Sequence, residues 1–260
     1  MKINIISLLS GALAIFIPWQ AALAEDQGIY SLETGMDYST GKYGGTLSTD
    51  ILYIPIIGKY QGELWTLKLT IPYLRITGPD NLVNGIGPTG TPSTTRSTRS
   101  GLGDVVASAT RIVHDGGASG LVVDLAGKVK FGTASSNSGY GLGTGKNDYS
   151  IQTDVFIASD DLYTFVTAGY KVHGSPAGYT LYNVFFGSLG WSYRFDPATQ
   201  GGLMFDFAQK SIAYGSSQSE VVLFYSHKLD QNWKSQLYLQ KGFTSSVPDF
   251  GAGTTLAYVF

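Results

Sequence analysis

The stretch Gly120-Leu121-Val122-Val123-Asp124-Leu125-Ala126-Gly127-Lys128-Val129-Lys130-Phe131 decides the fold. Leu121, Val123, Leu125, Val129 and Phe131 fall on one parity, and Asp124, Lys128 and Lys130 on the other. That is the period of two of a β-strand with unlike faces. Such a strand either backs a soluble core or crosses a bilayer with its apolar face on lipid, for which ~9–11 tilted residues suffice.

The pattern recurs in both directions. Trp65, Leu67, Leu69, Ile71 and Tyr73 oppose Lys68, and Leu181, Phe185, Leu189, Trp191 and Tyr193 oppose Tyr182, Ser188 and Arg194. Strand-length runs are predicted at Ile29–Thr40, Thr46–Ile57, Glu63–Ile76, Gly103–Val113, Gly120–Phe131, Asp148–Ala158, Leu162–His173, Thr180–Phe195, Gly201–Ile212, Glu220–Leu229, Trp233–Phe243 and Gly251–Phe260. The expected fold class is all-β, a transmembrane antiparallel up-and-down β-barrel of about twelve strands.

Composition selects lipid over a soluble surface. Charged residues make up 14% of the chain, against roughly 25% in soluble proteins, too few to coat the polar side of a sandwich. Tyr53, Tyr73, Tyr163, Trp191, Tyr193 and Trp233 near run ends are expected to form interfacial girdles. The connections alternate as an outer-membrane barrel requires if the chain starts on the periplasmic side. Thr77–Leu102 and Thr133–Asn147 are long and polar, and Gly174–Tyr179, Ala213–Ser219 and Thr244–Phe250 follow on the same side, with a short Gly41–Gly45. Ser159-Asp160-Asp161, Asp196–Gln200 and Asp230-Gln231-Asn232 are tight turns on the other.

Residues 1–24 read as a cleaved secretory signal: Lys2, the apolar Ile5–Ile17, then Pro18 and Ala22-Leu23-Ala24. The outer-membrane barrel then occupies 25–260, placing the chain in the bacterial outer membrane among its lipids. The chain ends on Gly253-Thr254-Thr255-Leu256-Ala257-Tyr258-Val259-Phe260. With Leu256, Tyr258 and Phe260 on one face, this resembles the terminal strand read by the barrel-assembly machinery.

Several classes of chemistry are excluded or unsupported. With Cys 0 there are no disulfides, thiolate metal sites or thiol catalysis. A net charge of −2 gives no basic field for nucleic acid. Gly141–Lys146 lacks the spacing of a phosphate loop, and Asn147 stands where Ser or Thr belongs. His114 and His227 have no second ligand on their strand faces, so neither metal nor cofactor is expected.

Leu69-Thr70-Ile71-Pro72-Tyr73, Ser100-Gly101-Leu102-Gly103-Asp104-Val105, Lys128-Val129-Lys130-Phe131-Gly132-Thr133-Ala134 and Gly141-Leu142-Gly143-Thr144-Gly145-Lys146-Asn147-Asp148 carry a family resemblance. The chain resembles the outer-membrane MetA-pathway of phenol degradation family, whose members are described as transporters. The resemblance implies an aromatic or hydrophobic cargo and assigns no ligand residues.

The candidate site is the lumen. By parity its acids are Glu33, Asp37, Asp50, Asp104, Asp124, Asp148, Asp154, Asp206 and Glu220, and its bases Lys68, Lys128, Lys130, Lys171, Arg194, Lys210, Lys228 and Lys234. Phe156, Tyr163, Phe165, Phe224 and Tyr238 could line an apolar path. The expected function is a non-enzymatic outer-membrane channel for small hydrophobic or aromatic solutes. Two alternatives stand beside it: an outer-membrane lipid hydrolase using His173 and Ser175 with Asn183 nearby, and a structural or adhesive barrel acting through Thr77–Leu102.

Overall fold

The computed structural model describes residues 28–80, 82–83, 87–88, 95–136 and 141–260; the expected signal segment lies outside them. The wall runs β1 (Ile29–Gly41), β2 (Thr49–Gln61), β3 (Trp65–Pro79), β6 (Arg96–Leu102), β7 (Val106–Asp115), β8 (Leu121–Lys130), β9 (Asp148–Ser159), β10 (Leu162–Val172), β11 (Val184–Asp196), β12 (Thr199–Ala208), β13 (Gln218–Lys228), β14 (Trp233–Gly242) and β15 (Phe250–Val259). In the loop after β3, β4 (Leu82–Val83) pairs with β5 (Gly87–Pro88).

Strands are antiparallel to their neighbours, and β15 returns to β1 in register from Ser31↔Val259 to Thr40↔Phe250, which closes the sheet. Closure leaves no open edge in the wall. β6 and β7 pair with the two halves of β3 and act as one stave, so the closed barrel has twelve.

Parity decides what faces lipid. Outward positions carry exposed Tyr30, Leu32, Met36, Tyr38, Leu67, Leu69, Phe205, Leu223, Leu237 and Leu239, an apolar belt that would be unstable in water and suits hydrocarbon. At the short-turn end lie Tyr30 against Tyr60 (centroids 5.0 Å) and Trp233 against Tyr258 (4.9 Å). At the other end Tyr170 meets Phe185 at 4.8 Å. These are two aromatic girdles. Tyr53 and Tyr163, expected in them, point inward instead, in register with Asp37 and Ser192.

The short connections are 62–64, 116–120, 160–161, 197–198 and 229–232, and both described ends of the chain lie on that side. Asp160 takes the left-handed region at φ 53, which Asp tolerates in a two-residue turn. The long connections lie opposite, as the alternation predicted.

Several boundaries differ from the expected runs, among them those of β2 (Thr49–Gln61) and β12 (Thr199–Ala208). The predicted Thr77–Leu102 loop is strand at both ends, because β3 extends to Pro79 and β6 begins at Arg96. The wall then breaks at 103–105, where the register changes from Tyr73↔Leu102 to Thr70↔Val106 and one extra residue bulges. The break lies beside Pro72, which has no N–H and accepts from Gly103 N–H at 2.8 Å. β11 starts at Val184, so Leu181 precedes the wall, and it is buried rather than lipid-facing.

Candidate functional site: the barrel interior

Inward positions divide the interior into two walls. On β13 and β14, Gln218, Glu220, Val222, Phe224, Ser226, Gln236, Tyr238, Gln240 and Gly242 are all buried. On β7, β8 and β9 the inward positions run from Val106 to Ala158, and only Ala126 among them is buried; Lys128 is exposed. One wall is packed and the other faces open space inside the barrel.

The packed wall is built on rings laid over glycines. Phe165, Met204, Val222, Phe224 and Tyr238 form a buried cluster with Phe156 and Tyr163 against it. A Cβ at Gly190 would collide with the Phe165 ring, and one at Gly253 with the Tyr238 ring, so glycine there is a packing requirement. Phe165 and Phe224 stand 6.5 Å apart, and the Arg194 guanidinium sits 4.9 Å over Tyr163. The aromatic residues read from the sequence as lumenal are thus brought together as one band.

Strand register places the acids on one oblique row: Asp124↔Asp154↔Thr167↔Ser188↔Asp206↔Glu220. Neutral side chains satisfy most of it. Asp154 accepts from Thr167 Oγ1 at 2.6 Å and from Gln152 Nε2 at 2.9 Å; Ser188 donates to Asp206 and Gln240 to Glu220. Asp37, on the packed side, accepts from the Tyr238 hydroxyl at 2.6 Å. Glu33 faces inward on β1, in register with Ile57, and Lys234 with Lys228.

At the long-loop rim the charges act on the loops. Lys130 Nζ lies 2.8 Å from Asp104 and 3.4 Å from Asp148. Asp104 also accepts from Ala134 N–H, and Asp148 from Gly174 N–H. This triad ties 131–147 and 173–183 to the wall.

Two expected lumen residues lie elsewhere. Asp50 is outward: Ile51, Tyr53, Pro55 and Ile57 take the inward parity of β2, and Asp50 pairs at the rim with Arg96 at 2.6 Å and accepts from Thr40 Oγ1. Lys210 lies past the end of β12, exposed, donating to the Ala213 carbonyl at 3.4 Å. Two inward bases were missed. Lys59 follows Ile57, where the predicted run ended, and Arg99 lay in the presumed loop. Continued alternation through Gly58-Lys59-Tyr60 was the available signal for the first.

His173 and Ser175 are tied to backbone rather than to each other. His173 Nδ1 meets the Tyr182 carbonyl at 2.8 Å, Ser175 Oγ accepts from Leu181 N–H at 2.9 Å, and Asn183 accepts from His173 N–H. Burial holds the His173 imidazole below its ordinary pKa, and the Tyr182 carbonyl offsets part of that. Among the described residues no group of His, Asp and Glu is arranged to hold a metal.

No protein-family model and no curated protein matches the chain. Among solved structures it is similar to an outer membrane channel from Pseudomonas putida F1, at 13% identity over 91% of this chain and 97% of that one, with a TM-score of 0.71. It is also similar to the KdgM porin (12% identity, 88% and 99% covered, TM-score 0.54) and the NanC porin (11%, 87% and 98%, 0.52). At such identities the likeness is one of fold. With the girdled apolar exterior and closed wall, it defines the chain as a bacterial outer-membrane β-barrel.

Proposed function

We propose that this barrel is a channel for small hydrophobic or aromatic solutes. The observation that carries the reading is the accessible wall of β7–β9, which runs beside an inward aromatic band while the opposite wall is packed. A structural plug would have no reason to leave one wall unfilled. An aromatic solute meets Phe156 and Tyr163 as it passes, and rings in contact gain beyond the area they bury. The outward Leu256, Tyr258 and Phe260 of the closing strand support recognition by the barrel-assembly machinery; deleting Phe260 should lower the amount of barrel in the outer membrane.

The reading is tested by labelled toluene uptake in intact cells. Cells that carry the protein should accumulate toluene faster than cells lacking it, and Phe156→Ala should slow the gain. Equal rates with and without the protein would overturn the proposal.

A further inference from the structure

A second oblique row runs parallel to the acidic one. Register places Lys59↔Lys68↔Ser108↔Lys128↔Ser150↔Lys171 side by side on β2, β3, β7, β8, β9 and β10. Lys59 lies next to the short turn 62–64 and Lys171 next to the long loop 173–183. Because barrel strands are tilted, a row that follows register climbs the axis as it goes round. The six side chains thus form a ramp from the periplasmic to the outer end, and every one of them is a hydrogen-bond donor.

The ramp differs from the acidic row in what satisfies it. Three of the four acids, Asp154, Asp206 and Glu220, are capped by Thr167, Gln152, Ser188 and Gln240 from the wall itself. Among the described residues no carboxylate lies within 4.0 Å of Lys68, Lys128 or Lys171, whereas Arg96 and Lys130 are ion-paired. Asp148, the acid nearest to Lys171 in register, is engaged by Lys130. Neighbouring strands lie roughly 4.8 Å apart, so Lys68, Lys128 and Lys171 succeed one another at roughly 10 Å along the ramp. Flexible ammonium stems at that spacing, with a serine hydroxyl between each, suit the transfer of a single negative charge from one to the next. Phe186, whose ring lies 6.0 Å from Lys171 Nζ, offers an apolar face at the outer end.

We infer that the lysine ramp conducts small organic carboxylates, the anionic group passing along Lys171, Lys128, Lys68 and Lys59 while the apolar body follows the aromatic side of the lumen. The inference rests on the channel reading above and adds aromatic and other small organic carboxylates to the solutes the lumen passes.

The experiment is the zero-current potential of the purified barrel in a planar bilayer under a gradient of potassium chloride, then of potassium benzoate. Anions should be more permeant than potassium in both salts. The double variant Lys128→Gln/Lys171→Gln should lower the anion-to-cation permeability ratio by roughly fivefold, the factor that one water-screened contact of unit charges at about 4 Å supplies. Lys128→Arg/Lys171→Arg, with the same heat-modifiable mobility on gels, should retain the wild-type ratio. A wild-type barrel that conducts but favours potassium, or a Gln variant with an unchanged ratio, overturns the ramp and leaves the channel standing. A wild-type barrel that passes no current, together with unchanged toluene uptake, overturns both.

Discussion

The wall formed by β13 and β14 and the wall formed by β7 to β9 follow the same alternation, yet one is filled and the other accessible. Polarity does not separate them. Glu220 on the packed wall and Asp154 on the accessible wall are both acids capped by a glutamine, Gln240 and Gln152. Volume does. Phe224 and Tyr238 lie over Gly202 and Gly253, and the loops above are joined by Ser216 to Ser245 and Ser246, with Val247 and Pro248 buried beneath. The β7–β9 wall carries Ser108, Thr110, Ala126 and Ser150 among its inward positions, and these small side chains leave room. A barrel wall of uniform pattern can therefore carry a filled half and an accessible half, distinguished by ring-over-glycine packing.

The comparison breaks most readily at the rings. Phe224→Ala should cost about 3–5 kcal/mol, whereas Lys128→Ala on the open wall should stay within about 0.5 kcal/mol; urea unfolding of the two variants in detergent checks this, and equal losses would erase the distinction. Gly253→Leu should follow, at about 1–3 kcal/mol of overpacking against Tyr238, while Gly127→Ala, whose Cβ meets nothing within 4 Å, should leave the heat-modification midpoint unchanged. Lys130→Met should have a smaller effect on stability, about 1 kcal/mol for a partly exposed pair, but should let protease cut within 131–147. Smallest of all, Asp50→Asn removes the rim pair with Arg96 for about 0–1 kcal/mol. It should not alter ion selectivity, because Asp50 faces outward.

How much of this could be read in advance follows from what is local. Alternation at Leu121–Phe131 is legible in the sequence, and Asp124, Lys128, Asp154 and Lys171 share the inward parity of β8 to β10, because each of those strands has one ionisable face. On β2 both faces are apolar, with Ile51, Tyr53 and Ile57 inward and Leu52, Ile54 and Ile56 outward, so the parity of Asp50 had no contrast to read. The two oblique rows were illegible for a different reason. Register between strands depends on turn length and bulges, such as the extra residue at 103–105, and that is a relation between distant segments. Lys59 and Lys128 belong to one ramp only through Lys68 on β3 and Ser108 on β7. The packed wall was also hidden, since ring-over-glycine pairs such as Tyr238 and Gly253 meet across strands.

With no cysteine anywhere in the chain, single thiols can be placed on each wall and tested for access from the lumen. Gln152→Cys on β9 and Gln236→Cys on β14 should be reconstituted in a bilayer and treated with a charged, membrane-impermeant thiol reagent while current is recorded. A passage along the β7–β9 wall gives a stepwise fall in current for Gln152→Cys and none for Gln236→Cys, which is 1% exposed in the native chain. Equal block at both positions, or block at Gln236→Cys alone, would contradict a passage along the β7–β9 wall.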